Sequence, residues 1–490
     1  MYDVLIIGAG VTGGSVARRL SQYKLKVLLL DKENDVSMGA SKANSAIIHG
    51  GYAESHDELR GRLCYPGRAQ FRRLNEELNF GFLENGSLVL AFDDDDLKEL
   101  HKLYKRGKEN GLDDMKILNK DELKQIEPNV SDSVKYGLYC KGAGVCSPYE
   151  YVIALCENAV DNGVDLKLYK EVVGIKKEDV FEVTCKDGSV YKARYVVNAS
   201  GLQGAQISSL IGKTDFTIHP RSGEYLLMQK GTGSKVNHVL FQTPSEKSKG
   251  ILVTRTYHNN LLLGPDAIDE EEIDKGTHLD RLAEIYRLGQ KSVKDGTIEI
   301  NKFIRSFTGL RPASSTGDFI IKESKVKGFI NAVGIQSPGI TASPEVARLV
   351  VELLEKSGLN LEKDENFNPY RKAIIEYKEL EDFNKVKDKI DLPLGKDQRL
   401  VCRCEQVSEK TLRDAMDRST PVNSFDALKR RTRCGMGFCQ GSFCKGRVLE
   451  VAKDHMGVDL PVETDIEHSG VTRVNKKDIV AYIKEKSKES

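Results

Sequence analysis

The sequence predicts an α/β fold divided into more than one domain, and three observations lead to this prediction. The chain opens with a short apolar segment, a glycine-rich turn and a helical pattern. Its 490 residues exceed what one ordinary hydrophobic core holds, so two or three domains are expected. Five of its ten cysteines crowd between positions 402 and 444, which sets the C-terminal part apart from the rest.

The first 31 residues follow a strand–turn–helix–strand pattern. Residues 3–7 are apolar and β-branched, as in a buried parallel strand, and residues 26–30 predict a second strand after the helix. A G-x-G-x-x-G motif fills the turn and an acidic residue ends the second strand; these residues are Gly8, Gly10, Gly13 and Asp31. This context favours a dinucleotide site over glycines that only turn a corner.

Each residue of this motif has a physical reason to be there. Gly8 permits a tight turn, Gly10 lets the backbone approach a pyrophosphate, and Gly13 lets the helix pack closely on the strand. The free N–H groups at the helix N-terminus attract phosphates. Asp31 can accept hydrogen bonds from a ribose. The sequence therefore predicts a Rossmann-like domain.

The segment "GASKANSAIIHGGY" at residues 39–52 favours FAD over NAD as the dinucleotide. It is small and polar, and it follows the second strand closely. Ser41, Asn44 and Ser45 could bind the diphosphate and ribityl chain. Backbone at residues 49–51 would lie near the isoalloxazine.

Further segments carry a family resemblance. They read "VVNASG" (196–201), "GEY" (223–225), "GPDA" (264–267), "RSFTGLRP" (305–312) and "INAVGIQSPGITASPEVARLV" (330–350). Together with the N-terminal motif, they resemble the glycine-oxidase and glycerol-3-phosphate-dehydrogenase group of FAD-dependent oxidoreductases, over residues 1–350. The residues and the resemblance together give this candidate FAD-binding set: Gly8, Gly10, Gly13, Asp31, Lys32, Ser41, Asn44, Ser45, Gly50, Val173, Ala199, Gly201, Gly334, Ser337, Gly339, Ile340 and Thr341.

The clustered cysteines indicate a metal centre rather than a disulfide framework. "CRCE" (402–405) and "KRRTRCGMGFCQGSFC" (429–444) resemble the bacterioferritin-associated-ferredoxin-like domain. The resemblance implies a 2Fe-2S cluster held by Cys402, Cys404, Cys439 and Cys444. Cys434 departs from the family pattern, and we interpret it as a bystander, with replacement of one ligand as the alternative. Tetrahedral zinc is the alternative for the whole set.

The resemblance also implies the domain plan. A Rossmann-like FAD-binding domain at 1–80, 150–215 and 320–360 would be interleaved with an α+β substrate domain at 81–149 and 216–319. Residues 361–398 are charged and predict a helical segment and linker. Residues 399–490 would form the small helical iron–sulfur domain, with Ser408 capping a helix.

Two local patterns predict individual elements. An Asp187-Gly188 turn joins two strands within 181–200. Residues 93–111 predict a surface helix in which four aspartates favour the N-terminal end over a metal site.

Composition excludes some partners. Lys and Arg total 74 and Asp and Glu total 73, which gives no reason to expect nucleic acid or an anionic membrane. No apolar run approaches the ~18 residues of a spanning helix. The first strand begins near Met1, which leaves no room for a signal peptide and predicts a cytoplasmic location, peripheral to a membrane only through a partner. The five scattered cysteines read as reduced thiols.

A flavin beside a cluster predicts a path for electrons. The substrate would give two electrons to FAD as a hydride, and the cluster would carry them singly to an acceptor. An oxidase would need no such exit, so we expect a dehydrogenase with an electron-accepting partner subunit or carrier. We also expect an oligomer.

Oxidising an alcohol requires a base for the hydroxyl proton. His49 is the first candidate and His258 the second. An anionic substrate requires fixed cations, for which guanidinium groups suit carboxylates and phosphates. The candidates are Arg311, Arg305 and Arg221; the alternative is that these arginines pair with surface carboxylates.

Two substrates fit this chemistry. The fused cluster domain favours sn-glycerol 3-phosphate, oxidised to dihydroxyacetone phosphate, whereas "NSAIIHGGY", "GEY" and "GPDA" resemble L-2-hydroxyglutarate oxidase at least as closely. Amine oxidation is a third interpretation. Two other classes stay open: an electron-transfer or redox-sensing module without its own small substrate, and a zinc-stabilised interaction protein.

Overall fold

The computed structural model describes residues 1–243, 250–375, 379–462 and 471–489. Its strands are β1 Tyr2–Ile7, β2 Val27–Leu30, β3 Ile47–Ile48, β4 Phe82–Leu83, β5 Ser87–Ala91, β6 Met115–Asn119, β7 Tyr136–Cys140, β8 Gly144–Cys146, β9 Asp165–Lys167, β10 Val172–Lys177, β11 Phe181–Cys185, β12 Val190–Asn198, β13 Ile218–Lys230, β14 Val239–Gln242, β15 Val253–Arg255, β16 Asn260–Leu263, β17 Ile268–Asp269, β18 Phe303–Ser314, β19 Ile320–Glu323, β20 Phe329–Val333, β21 Leu400–Cys402 and β22 Val407–Ser408.

Its α-helices are α1 Val11–Leu20, α2 Leu59–Arg68, α3 Phe71–Leu78, α4 Asp94–Glu109, α5 Lys120–Ile126, α6 Pro148–Asp161, α7 Gly204–Ser209, α8 Leu279–Gln290, α9 Gly339–Lys356, α10 Phe383–Val386, α11 Glu409–Met416, α12 Phe425–Thr432, α13 Lys445–Met456 and α14 Lys476–Glu489. Short 3₁₀ turns occur at Gly201–Gln203, Thr232–Lys235, Ile300–Lys302 and Lys387–Ile390.

The first sheet has eight strands from three separate parts of the chain. Its order is β10-β11-β12-β1-β2-β9, with β20 beside β12 and β19 beside β20. The central strands β12, β1 and β2 run parallel, and helices α1, α6 and α9 cover this sheet with apolar side chains. β1, β9–β12 and β19–β20 share one sheet although they are far apart in sequence, and the predicted α/β class is confirmed.

The second sheet has nine strands and carries the long pair β13 and β18. Its order is β17-β13-β16-β15-β14-β5-β7-β6, with β18 on the other side of β13. The antiparallel register of β13 and β18 places Arg221 opposite Arg311 and Tyr225 opposite Phe307. This register fixes which side chains the second sheet can present to the first domain.

Two predicted local elements form as expected. β11 and β12 are antiparallel, and Gly188 adopts the left-handed backbone that their turn needs, with φ of +83°. Helix α4 begins after Asp93, whose carboxylate accepts hydrogen bonds from the backbone N–H groups of Asp95 and Asp96. The four aspartates thus start a helix.

The C-terminal unit packs strands β21–β22 with helices α11, α12 and α13 around a small core. Ser408 caps α11 and Ser424 caps α12, each by accepting a hydrogen bond from a backbone N–H three residues on. Helix α14 differs from the prediction, because it packs on α8 and buries Ile479 in the core of the second sheet. The residues before Phe383 also differ from the helical prediction.

Residues 361–382, where described, are largely irregular rather than helical. They are fastened by polar groups: the Arg371 guanidinium donates to the buried Glu157 carboxylate at 2.7 Å, and Asn158 donates to the Asn368 carbonyl at 3.0 Å. The charged sequence has no apolar stripe to bury, so the segment follows these anchors across the first domain.

Within the described residues, no helix is both long enough and apolar enough to cross a bilayer.

Candidate functional site

A cavity of about 310 Å³ lies at the glycine-rich turn after β1. Gly8 has a φ of +105°, and a Cβ there would lie 2.5 Å from the Ala199 carbonyl oxygen. A Cβ on Gly13 would lie 1.8 Å from the Gly8 carbonyl oxygen, which leaves room only for glycine. Among the predicted FAD-binding residues, those lining this cavity are Gly8, Gly10, Asp31, Lys32, Ser41, Val173, Ala199 and Gly201.

Asp31 and Ser41 hold the shape of this turn. The Asp31 carboxylate accepts from the backbone N–H groups of Ala9 at 2.6 Å and Glu33 at 2.9 Å. Burial raises the pKa of Asp31, and these two hydrogen bonds oppose the rise. The Ser41 hydroxyl accepts from the Val11 N–H at 2.9 Å, at the start of α1. Both side chains thus orient the helix N-terminus towards the cavity.

The other predicted FAD-binding residues build the surrounding loops. The Asn44 amide donates to the carbonyls of Ala40 and Ser41 and accepts from the Ala46 N–H, which closes the 40–46 loop. Ser45 lies near the Tyr225 side chain. Gly50 packs against Tyr52, Gly334 has a positive φ before α9, Gly339 begins that helix and Ile340 packs on the first domain's core.

His49 contacts the N-terminal end of α9 and strand β14. Its backbone N–H donates to the Thr341 hydroxyl at 2.9 Å, and its Nε2 lies 3.3 Å from the Ser337 hydroxyl. The imidazole stacks on Phe241, with ring centroids 6.1 Å apart. This first candidate base is therefore oriented by the N-terminal end of α9 and by β14.

A second cavity, of about 280 Å³, lies where the two sheets meet the C-terminal unit. We call it the junction cavity. It shares Met38, Gly39 and Ala40 with the first cavity, so the two are adjacent along the same loop. Its other walls come from β18 and from α12 and the turn after it.

His258, the second candidate base, lines the junction cavity. Its Nε2 lies 2.7 Å from a Glu150 carboxylate oxygen, and its ring packs edge-on against Tyr257. Burial lowers the pKa of His258, and the nearby Arg433 guanidinium lowers it further, although Glu150 acts in the opposite direction.

The three candidate arginines occupy different places. Arg311 is half-buried, is not among the residues that line either cavity, and donates to the carbonyl oxygens of Ser222 at 2.8 Å and Asp266 at 2.9 Å. Burial lowers its pKa. Arg305 lines the junction cavity and donates to the Gln440 amide oxygen at 3.2 Å.

Arg221 lies outside both cavities. It forms a two-point pair with the exposed Asp269 carboxylate, at 2.6 and 2.9 Å. For Arg221 the structure therefore matches the alternative interpretation, a surface ion pair.

The cysteine region brings thiols together at the end of β21, just after α12 and at the start of α13. The sulfur atoms of Cys402, Cys434 and Cys444 all lie within 4.8 Å of one another and are buried. Cys404 interacts with Cys439 beside them. The Cys434 thiol thus lies against two of the four predicted ligands, and both interpretations of Cys434, bystander or replacement of one ligand, stay open.

Buried ion pairs fasten the C-terminal unit to the rest of the chain. The Asp35 carboxylate, after β2, accepts from Arg430 at 2.6 Å and from Arg431 at 2.8 Å, and all three side chains are buried. Glu405, next to Cys404, accepts from Arg433 at 2.9 Å and from Lys230 on β13 at 3.3 Å. These contacts position the cysteines beside the junction cavity.

Sequence reasoning missed these ion pairs as well as Phe241 and Glu150. No local signal could have found the Asp35 pair, since its partners lie 395 and 396 residues away. Glu150, in the first turn of α6, reads from sequence as an ordinary helix start.

The residues present fit the two implied groups. The glycine turn, the helix N-terminus and the elongated pair of adjacent cavities suit a dinucleotide with a ring system. Three buried thiols in mutual contact and two more beside them supply the soft donors that iron–sulfur clusters need.

Comparison with known proteins agrees with this geometry. The family model described as "FAD dependent oxidoreductase" (DAO) matches residues 3–353, and the "BFD-like [2Fe-2S] binding domain" matches residues 400–453. A glycerol 3-phosphate dehydrogenase from Caloramator mitchellensis is 44% identical over 475 residues, covering 96% of this chain and 97% of that protein. The L-2-hydroxyglutarate dehydrogenase of Escherichia coli (strain K12) is 25% identical, over 55% of this chain and 64% of that protein.

Among solved structures, the dithionite-reduced L-alpha-glycerophosphate oxidase from Mycoplasma pneumoniae with FAD bound is similar, with a TM-score of 0.71 and 29% identity. The match covers 76% of this chain and 98% of that one. The chain therefore belongs to the FAD dependent oxidoreductase (DAO) family and carries a BFD-like [2Fe-2S] binding domain, which confirms the predicted enzyme class and both predicted cofactors.

Proposed function

We propose that this protein is a dehydrogenase that oxidises sn-glycerol 3-phosphate to dihydroxyacetone phosphate. One observation carries the proposal: a glycerol 3-phosphate dehydrogenase is similar along nearly the whole chain, through both the oxidoreductase and the iron–sulfur domains. The L-2-hydroxyglutarate dehydrogenase is less similar and matches only about half of the chain.

The C-terminal unit supports a dehydrogenase rather than an oxidase. The solved glycerophosphate oxidase is covered almost completely by about three quarters of this chain. The C-terminal quarter places five cysteines beside the junction cavity, against the first domain. When bound, FAD accepts hydride from a carbon and a 2Fe-2S cluster carries single electrons. We propose that an electron-accepting partner or carrier receives them.

Side chains of this protein would accept the hydroxyl proton of the substrate and bind its anionic group. We propose His49 as the base, because its imidazole is fixed by Ser337 and Phe241 where α9 and β14 meet. His258 is the second candidate, since burial favours its neutral form and Glu150 orients it. Arg311 and Arg305 are the proposed cations for an anionic substrate.

Anaerobic titration of the purified protein tests this function. Glycerol 3-phosphate should bleach the FAD absorbance stoichiometrically, and L-2-hydroxyglutarate should not. Bleaching by L-2-hydroxyglutarate alone would show that the substrate is this 2-hydroxy acid and not glycerol 3-phosphate. If neither compound bleaches the flavin, the substrate proposal is wrong.

The two histidines are separated by paired variants. His49→Asn should lower the rate of flavin reduction by about 10²–10⁴-fold. His258→Asn serves as the matched comparison. A larger loss in His258→Asn than in His49→Asn would assign the base to His258.

A further inference from the structure

The junction cavity holds more positive than negative charge. Two of its arginines are neutralised: Arg430 by Asp35 at 2.6 Å and Arg433 by Glu405 at 2.9 Å. Five more cationic side chains line it, Lys42, Lys275, Arg305, Lys429 and Arg473, and the carboxylate lining it among the described residues is Asp426.

Three of these cations, Arg305, Lys429 and Arg473, come from separate segments, and the one carboxylate whose charge acts on all three among the described residues is Asp426. Arg305 lies on β18, Lys429 on α12, and Arg473 just before α14. In the part of the chain that the structure describes, Lys429 and Arg473 make no hydrogen bond or ion pair, and Arg305 donates only to the neutral Gln440 amide. Charged side-chain groups that line a cavity without hydrogen-bond acceptors cost free energy unless a ligand supplies those acceptors.

The cations are close enough to perturb one another. Burial, together with the Arg305 and Arg473 charges, lowers the pKa of Lys429 to about 7, although the Asp426 carboxylate acts in the opposite direction. Burial also lowers the pKa of Arg305 to about 10, again with a contribution from Arg473. Bringing like charges together in a partly buried space costs free energy, and folding alone does not compensate this cost.

The charge balance identifies the class of ligand. The positive charges of Arg305, Lys429 and Arg473 exceed the single negative charge of Asp426, so this part of the cavity carries an excess of positive charge. A dianion would balance this excess better than a single carboxylate. Guanidinium and ammonium groups converging from three segments match the oxygens of a phosphate.

We propose that the junction cavity binds the phosphate group of a small molecule through Arg305, Lys429 and Arg473. One source of that group is glycerol 3-phosphate itself, and in this form the inference rests on the proposed function. The other source is inorganic phosphate. In both cases segments C-terminal to the oxidoreductase domain supply two of the three cations.

Phosphate binding to the holoenzyme tests the site directly. We would measure inorganic phosphate binding by calorimetry at fixed ionic strength for the wild type, Lys429→Met and Arg473→Met. Each variant should bind about tenfold more weakly, as for a lost charge-assisted hydrogen bond, and Lys429→Arg should recover most of the affinity. Lys410→Met, which removes an exposed lysine paired with Asp414, is the matched control and should change affinity by less than about twofold.

Flavin reduction distinguishes the two sources. If the site takes the substrate's phosphate, the half-saturating concentration of glycerol 3-phosphate rises by a similar factor in both variants. If inorganic phosphate binding weakens and the half-saturating concentration of glycerol 3-phosphate does not change, the proposed site is supported and its ligand is free phosphate. If the variants alter neither measurement while flavin and cluster spectra show intact protein, the proposal is overturned.

The two proposals can fail separately. A wild-type flavin that glycerol 3-phosphate does not reduce would refute the proposed substrate, and the calorimetric comparison would still decide the phosphate site.

Discussion

The FAD-binding domain and the C-terminal iron–sulfur unit are stabilised by different means. The first domain buries a continuous set of aliphatic and aromatic side chains between its sheet and helices α1, α6 and α9. The C-terminal unit has a small core that includes Cys402, Cys434 and Cys444. It is fastened to the first domain through the Asp35 ion pairs.

This difference shows where each site gets its shape. The dinucleotide turn is set by backbone geometry at Gly8 and Gly13, so it exists independently of the bound cofactor. The cysteine site depends on side chains whose thiolates repel one another until a metal neutralises them. We therefore expect the two domains to respond differently to the same kind of change.

The largest effect is expected for Cys402→Ser. Its thiol contacts Cys434 and Cys444 and belongs to the predicted ligand set, so its loss should abolish cluster assembly. Iron and sulfide content should fall to background while FAD content stays near that of the wild type. Cys185→Ser, a buried cysteine in β11 far from the cluster in the fold, is the control. Retention of iron in Cys402→Ser would contradict the ligand assignment.

Asp35→Asn should weaken the attachment of the C-terminal unit. It leaves two buried guanidinium groups without their carboxylate, at a cost of about 3–5 kcal/mol. Limited proteolysis should release the C-terminal unit sooner, and electron transfer from flavin to cluster should slow. The control is Asp187→Asn, which removes an exposed pair with Lys170. Equal protease resistance of Asp35→Asn and the wild type would show that the unit is held by other contacts.

The same ion pair predicts an acid sensitivity. Burial raises the pKa of Asp35, but the Arg431 and Arg430 guanidinium groups outweigh it and lower the pKa to about 2. The stabilisation of about 2 kcal/mol is therefore present above pH ~4 and lost as the pH falls towards 2. Circular dichroism of the protein should show this loss, and Asp35→Asn should flatten the dependence. An unchanged slope in the variant would argue against the pair as its origin.

The comparison also shows what the sequence could predict. The glycine turn, the Asp187-Gly188 hairpin and the Ser408 cap obey local rules that depend on a few neighbouring residues. The ion pair between Asp35 and Arg431 does not follow from local rules, because the two residues are far apart in sequence and either could lie on an ordinary surface. Helix α14 was misassigned for the same reason: its packing on α8 depends on tertiary contact.

The candidate site residues also divide into those that a local motif identifies and those that only tertiary contacts distinguish. The motif-bearing residues line the first cavity, beside the glycine turn. For the arginines, residue type and register are not enough to tell Arg311, which donates to backbone carbonyls, from the surface-paired Arg221, which lies opposite it across β13 and β18. Only their contacts distinguish them.

The smallest effect is expected for Cys434→Ser. Because its thiol touches two predicted ligands, we expect the variant to keep most of its iron but to shift the visible and EPR spectra of the cluster. Cys439→Ser is the matched comparison and should lose the cluster. Loss of iron in Cys434→Ser and retention in Cys439→Ser would make Cys434 the fourth ligand.

Anaerobic reduction by glycerol 3-phosphate, followed by low-temperature EPR, decides whether substrate, flavin and cluster form one electron path in this chain. We predict that one equivalent of substrate bleaches the FAD absorbance and produces the EPR signal of a reduced 2Fe-2S cluster. A bleached flavin beside a cluster that stays oxidised and EPR-silent would contradict that path.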